Sequence, residues 1–301
     1  MTAVTTDPGD VHLLVPFWGE VSLLEETVRS ALAQDDPRWL LTVVDDAAPQ
    51  GEAARALTEG LDDDRVDYVR NAGNLGITRN FQRCLALART PWAAFPGCDD
   101  LLLPAYVGVV RRALTAHPDV DMVQPGVRVI DAAGREASST VDRVKARLRA
   151  RQPVGTPLGG DRLAASLLGG NWLYFPAMAF RVDAARRHGF DPRWEVVEDL
   201  ALVCEVLRDG GRMVLLDQEV FAYRRHAASV SSTAAASGRR FTEERAFFAE
   251  EAVAARALGW RSSERAARFR WSSRLHALGL VPAARSMTQV RGLLGHAAGP
   301  G

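Results

Sequence analysis

Lysine is almost missing from this chain: of its 37 basic residues, only Lys145 is a lysine. The arginine excess reads as a habit of base composition, so a single arginine carries little functional weight. Cysteine is sparse as well. Cys84, Cys98 and Cys204 are odd in number, far apart and form no C-x-x-C, which argues against a disulfide framework and for a reducing compartment. Neither sign of charge dominates, with 37 basic against 37 acidic residues, so no net field draws the protein toward nucleic acid. No apolar run reaches the roughly 18 residues that a membrane-spanning helix needs. Residues 1–10 are polar and acidic, without the apolar stretch of a secretion signal. The expected location is the cytoplasm. Internal repeats are absent, and low complexity is confined to residues 231–238.

What is present looks globular. Hydrophobic residues make up 47% and charged residues 25%, an ordinary balance, and the length suits one large domain or two small ones. From Val11 onward, short apolar runs alternate with helix-length amphipathic ones. Residues 11–15 read as a buried strand closed by Pro16, 21–33 as a helix, and 40–44 as a strand that stops at Asp45 and Asp46. A polar helix near 52–59, a strand at 66–69, a turn at 71–76 and a helix at 78–88 follow. Residues 92–95 form a fourth strand, ending in Gly97-Cys-Asp-Asp100, and Pro104 opens a helix to about Ala116.

Fully apolar strands alternating with helices predict an α/β fold with a mixed, mainly parallel sheet, covered on both faces like a Rossmann sandwich. Sheets of this kind bind ligands at the carboxyl ends of their strands. Trp18, Gly19 and Glu20, then Asp45 and Asp46, then Asp99 and Asp100 would therefore line one rim. The second half is less regular. Residues 122–130 suggest a strand or strand pair, and 138–160 a polar, arginine-rich loop. Residues 177–181 suggest a strand, 200–207 a helix opened by Glu198 and Asp199, and 213–216 and 220–223 two short strands. Beyond Phe241 the pattern is helical, divided at Gly259 and near 279–282.

Two adjacent carboxylates at a strand end repel one another unless a cation offsets them. Their hard oxygens suit Mg²⁺ or Mn²⁺, which also bridge phosphate oxygens of a substrate. The plainer reading is that Asp99 and Asp100 stop the strand or cap the next helix. Asp45 and Asp46 on the neighbouring strand favour the metal reading, since the rim then carries four carboxylates.

These runs resemble the family 2 glycosyltransferases of the GT-A fold. The likeness spans Leu14-Val-Pro-Phe-Trp-Gly-Glu20, Val43-Val-Asp-Asp46, residues 71–80, and Gly97-Cys-Asp-Asp100. It continues through Gly170-Asn171, Ala179-Phe-Arg181, Gly189-Phe-Asp191 and Glu198-Asp199 to Tyr223-Arg-Arg-His226, covering about residues 11 to 232. The resemblance implies a catalytic domain over 11–235, with a nucleotide-sugar half at 11–130 and an acceptor half at 131–235, and a helical segment at 240–295. Pro16 and Trp18 would line the nucleobase pocket, Asp46 would accept from the base, and Arg79 would sit near the diphosphate. Asp99 would face the ribose and the metal, Asp100 would be a direct metal ligand, and His226 a further metal or diphosphate contact. Asp199 would be the general base. The implied reaction is an inverting, non-processive transfer of one sugar from a nucleoside-diphosphate sugar, UDP or TDP, to an unidentified acceptor hydroxyl, with Mn²⁺ or Mg²⁺. The chain departs from the family pattern at Trp18-Gly19, at Cys98 within the D-x-D-type motif, and at Ala47-Ala48 after the second strand.

Each residue also has a plainer role. Asp199 could cap the helix after it, His226 could be a surface histidine, and Cys98 a small strand residue. Trp172, Tyr174 and Phe175 suit either an acceptor platform or the core, the core being favoured for at least one. Arg256, Arg261, Arg265, Arg268, Arg270 and Arg274, with Trp260, Phe269 and Trp271, fit a helix packed on the domain or one touching an anionic membrane. Two rivals to the transferase are a sugar-nucleotide pyrophosphorylase-like enzyme and a catalytically degenerate GT-A binding domain. The pyrophosphorylase's Gly-rich basic loop is poorly matched by Pro16-Phe-Trp-Gly-Glu20.

Overall fold

The computed structural model describes residues 9–225, 239–270, 273, 274 and 294. Strand β1 (Val11–Phe17) leads through α1 (Val21–Leu32) to β2 (Trp39–Asp45), α2 (Gly51–Glu59) and β3 (Val66–Arg70). Helix α3 (Ile77–Leu87), β4 (Trp92–Ala94), β5 (Leu101–Leu102), α4 (Tyr106–Ala116) and β6 (Met122–Ile130) complete the first half. Then come α5 (Thr140–Arg149), β7 (Leu158–Gly159), α6 (Gly160–Gly169), β8 (Ala179–Arg181), α7 (Val182–His188), α8 (Glu198–Arg208) and β9 (Arg212–Arg224). Two C-terminal helices, α9 (Arg239–Ala257) and α10 (Arg261–Phe269), close the described chain.

The strands form one sheet in the order β3-β2-β1-β4-β8-β6-β9-β5, with β7 beside β9. Its first four strands are parallel, and antiparallel pairings enter with β8, β5 and β7. Alternation along β1 divides the core: Leu13, Val15 and Phe17 join the apolar cluster under α1 and α4, while Leu14 joins the one under α3, α6, α7 and α8. Both faces are therefore buried, and only the strand ends can present polar chemistry. Among the described residues no helix is long and apolar enough to cross a membrane.

Several elements differ from the sequence-based expectations. Pro16 does not close β1, which runs on to Phe17. The segment expected as a loop at 138–160 holds α5, nucleated by a capping box in which Ser139 and Asp142 satisfy each other's backbone N–H groups. The two short strands expected at 213–216 and 220–223 are parts of the single strand β9, irregular where it passes Gly126 of β6. A Cβ at Gly126 would stand 2.5 Å from the Asp217 carbonyl oxygen, so only glycine lets the two backbones approach. Trp172, Tyr174 and Phe175 are all buried, so none of them is an open stacking platform. The division expected near 279–282 lies outside the described residues.

Candidate functional site

The first acidic pair is built by the turn after β4. Asp100 is 1% exposed, and its carboxylate accepts from the backbone N–H of Arg224 at 2.8 Å and of Gly97 at 3.2 Å. Thr27 of α1 donates to the Asp100 carbonyl at 2.8 Å. Arg224, at the end of β9, binds the turn from the other side: its Nε donates to the Asp99 carbonyl at 2.7 Å, and its guanidinium reaches Ala132 O and Glu26. Burial, and then the neighbouring Asp99 carboxylate, push the Asp100 carboxyl well above the usual range. A Cβ on Gly97 would stand 2.8 Å from an oxygen of Asp99 and 2.8 Å from one of Asp100. The two carboxylates thus converge on a point that only a side-chain-free residue leaves open. Two close, hard oxygen donors fit Mg²⁺ or Mn²⁺, which take one or two carboxylates plus substrate phosphates. Among the described residues no group of three or more His, Cys, Asp or Glu side chains could hold a metal by itself.

The second acidic pair lies at the end of β2 and is differently used. Asp45 is fully buried and accepts from Ala48 N at 2.7 Å, from the Tyr68 hydroxyl and from Arg70 at 3.3 Å. Asp46, 3% exposed, accepts from Asn71 Nδ2 at 2.9 Å, Leu75 N at 2.8 Å and Gly76 N at 3.0 Å. Asn80 continues this network from Asn71 to the Val44 carbonyl. Asp46 therefore pins the 71–76 loop, with three of a carboxylate's roughly four acceptor positions in use. Trp18 stands 54% exposed beside it, Pro16 is half-buried, and Arg79 is exposed in the first turn of α3. A Cβ on Gly19 would stand 3.5 Å from Cys98 Sγ, and burial followed by Asp99 raises that thiol to about 12. It is an inert neighbour at neutral pH, not a nucleophile.

Asp199 lies in the first turn of α8, and the elements around it come from the whole second half. Its carboxyl is raised by burial, against which Lys145 is the largest opposing influence, with Leu200 N, Arg240 and the Asn171 amide also lowering it. Glu198 is raised further, by burial and then by Asp199 itself, and one of its oxygens has no hydrogen-bond partner. Of the pair, Asp199 is the better placed to stay ionised. The approach to α8 is held in turn by Glu243 of α9, whose carboxylate accepts from the backbone N–H groups of Glu195, Val196 and Val197 at 2.9, 2.6 and 3.1 Å. Tyr223 joins the two acidic groups. Its hydroxyl is raised to about 12 by burial, then by Asp100, with Asp99 and Asp199 adding to the shift. Asp99, Asp100 and Asp199 thus all raise Tyr223 through their charge, and Trp18 and Asp46 follow the paired ends of β1 and β2. His226 lies outside the described residues.

Lys145, Glu243 and Arg224 were not singled out as site residues from the sequence. The Ser139-x-x-Asp142 spacing could have revealed the helix that carries Lys145, and Arg224 lies inside the Tyr223-Arg-Arg-His226 run without a role read for it, whereas nothing local marks Glu243. A concavity of about 590 Å³ beside Thr90, Arg181 and Arg186 opens at the opposite, amino-terminal end of β4, and none of these carboxylates lines it.

The family model described as "Glycosyl transferase family 2" matches residues 13–174. An uncharacterized protein of Mycobacterium tuberculosis, MT1568, is 32% identical over 112 residues, 37% of this chain and 34% of that protein. The chain thus matches about a third of that relative's length. The fold is that of TarS residues 1–349 of S. aureus in complex with UDP-GlcNAc, with a TM-score of 0.71 at 14% identity over 95% of this chain and 80% of that one. It is also that of PcManGT, a mannosyltransferase from Pyrobaculum calidifontis in complex with GDP-Man and Mn²⁺. There the TM-score is 0.60 at 19% identity, over 98% of this chain and 82% of that one.

Proposed function

The chain belongs to glycosyl transferase family 2, and from that premise we propose that it moves one sugar from a nucleoside-diphosphate sugar to an acceptor hydroxyl, with inversion. The observation that carries this reading is the acidic turn after β4, where an Asp99 oxygen and an Asp100 oxygen each come to 2.8 Å from the point a Cβ on Gly97 would occupy. Residues 11–130 form the donor half and 131–235 the acceptor half. Trp18 offers the nucleobase a flat face, with Pro16 beside it. Asp46 shapes that pocket by holding the 71–76 loop and offers its remaining acceptor capacity to a base N–H. Arg79 meets the diphosphate. The donor is a UDP- or TDP-sugar, and the UDP-GlcNAc bound by TarS supports the former.

Asp99 and Asp100 would hold Mn²⁺ or Mg²⁺, with His226 the further contact that the family resemblance implies, and the Mn²⁺ of PcManGT supports that assignment. When bound, the ion offsets the charge that develops on the leaving diphosphate. Asp199 accepts the acceptor hydroxyl's proton as its oxygen forms the new bond to the anomeric carbon and the bond from that carbon to the diphosphate oxygen breaks. A single displacement of this kind inverts the anomeric configuration. Such a donor, together with the free cysteines, fits a cytoplasmic setting. Calorimetric titration with UDP, GDP and TDP, each with and without Mn²⁺, tests the reading. Nucleotide binding that strengthens with Mn²⁺ is expected, and its absence for all three would overturn it.

A further inference from the structure

The outer face of α5 carries positive charge that no acidic side chain among the described residues pairs with. Between Ala137 and Gly160 the basic residues are Arg143, Lys145, Arg147, Arg149 and Arg151, and the one acid is Asp142. Asp142 is buried and accepts from Tyr174 at 3.0 Å and from Arg225 at 2.6 Å. Lys145 and Arg149 are committed as well, donating to the Leu173 and Leu216 carbonyls. Arg143, Arg147 and Arg151 are exposed and four residues apart, which sets them in one stripe. Arg143 donates to the Thr140 hydroxyl of its own helix at 3.1 Å, and none of the three is ion-paired among the described residues. Residues 226–238 and 275–301 contain no Asp or Glu, so neither segment can supply the missing carboxylate.

Apolar side chains flank the stripe. Val141 and Val144, three residues apart on the same helix, are 51% and 50% exposed, and Val154 just beyond it is 42% exposed. They are three of the nine large hydrophobic side chains that stand exposed among the described residues. Helix α9, by contrast, carries four glutamates for its four arginines, so its charge is mixed.

We propose that this face of α5 docks the protein on an anionic phospholipid bilayer. Headgroup phosphates meet the arginine stripe, and the valine methyls enter the boundary with the acyl chains. A soluble polyanion satisfies the arginines but leaves the valines in water. With so little apolar surface, docking is reversible and governed by charge. The docked helix is linked to the acidic turn through two consecutive residues: Arg225 bonds Asp142 of α5, and the Arg224 N–H bonds the Asp100 carboxylate.

Sedimentation of the full chain with vesicles tests this surface without donor or metal. Phosphatidylcholine vesicles with about 30% phosphatidylglycerol should bind it, and pure phosphatidylcholine should not. Salt at about 1 M should release it, because screening then acts within roughly 3 Å. Each arginine near an anionic surface contributes about fivefold. Arg147→Gln alone should therefore weaken binding about fivefold, and Arg143→Gln, Arg147→Gln and Arg151→Gln together about 100-fold. Val141→Ser with Val144→Ser should weaken it about tenfold. All five side chains are exposed, so the urea midpoint should not move, and the single variant remains readable if the triple one does not fold. Equal binding to both kinds of vesicle, or arginine variants that bind as the wild type does, would overturn the proposal. Vesicle binding indifferent to the valines, alongside arginine-dependent retention on dextran sulfate, would assign the face to a soluble polyanion and overturn it too.

Discussion

Gly97→Ala is the sharpest single perturbation of the acidic turn. Gly97 is not among the glycines of positive φ, so the backbone accepts alanine, and only space is at issue. The added methyl would stand 2.8 Å from an Asp99 oxygen and 2.8 Å from an Asp100 oxygen, where ordinary contact begins at 3.4 Å. Each carboxylate must withdraw by about half an ångström, more than the ~0.2 Å that metal–ligand distances tolerate. Asp100 cannot give way cheaply, because two backbone N–H groups and the Thr27 hydroxyl fix its turn. The gain in UDP affinity on adding Mn²⁺ should therefore fall by about 10- to 100-fold, while metal-free UDP binding stays within twofold. Calorimetry of both proteins, with and without Mn²⁺, reads the difference. An alanine variant that keeps the wild-type Mn²⁺ response would refute the convergence of the two carboxylates as the metal-binding feature.

Arg224→Met should destabilise the protein by about 2–4 kcal/mol in urea unfolding, since the Asp99 and Ala132 carbonyls lose buried donors. The ion pair to half-exposed Glu26 adds little to that figure. Glu243→Ala should cost about 1–3 kcal/mol and lower kcat more than donor affinity, because three backbone N–H groups before α8 lose their acceptor. A fall in affinity with kcat unchanged would contradict that role. His12 gives a pH signature: its Nδ1 accepts from Arg89 N, its Nε2 bonds Thr42, and burial, aided by Arg89, lowers it from 6.5 to about 3. The unfolded chain then binds the extra proton between those values. The contribution is intact above pH 6.5 and is lost as pH falls, at about 1.4 kcal/mol per unit. His12→Gln should flatten the pH dependence of unfolding between pH 6 and 5 by that amount, and an unchanged slope would contradict it.

The rim was legible because β1, β2 and β4 are continuous apolar runs that end abruptly in polar residues, and parallel topology puts such ends together. The same logic could not say how each carboxylate is spent. Asp46 is as acidic in sequence as Asp100, yet its oxygens hold a loop, a choice made by backbone N–H groups that any sequence supplies. Helix α5 was hidden by its polar composition, although Ser139 and Asp142 carried its start signal. The union of β9 was hidden by the polar stretch at 217–219, which passes the bulge at Gly126. Glu243 acts on residues 46 to 48 positions away, a contact made by tertiary packing alone.

The most direct test of the central claim is to measure, on one Asp199→Asn preparation, both Mn²⁺-dependent release of nucleoside diphosphate from sugars of the nucleotide that binds most tightly and the calorimetric affinity for that nucleotide. A base that acts only on the attacking hydroxyl predicts that turnover falls by about 10²- to 10⁴-fold while affinity stays within twofold. Turnover that survives, or affinity that falls in step with it, would contradict the account.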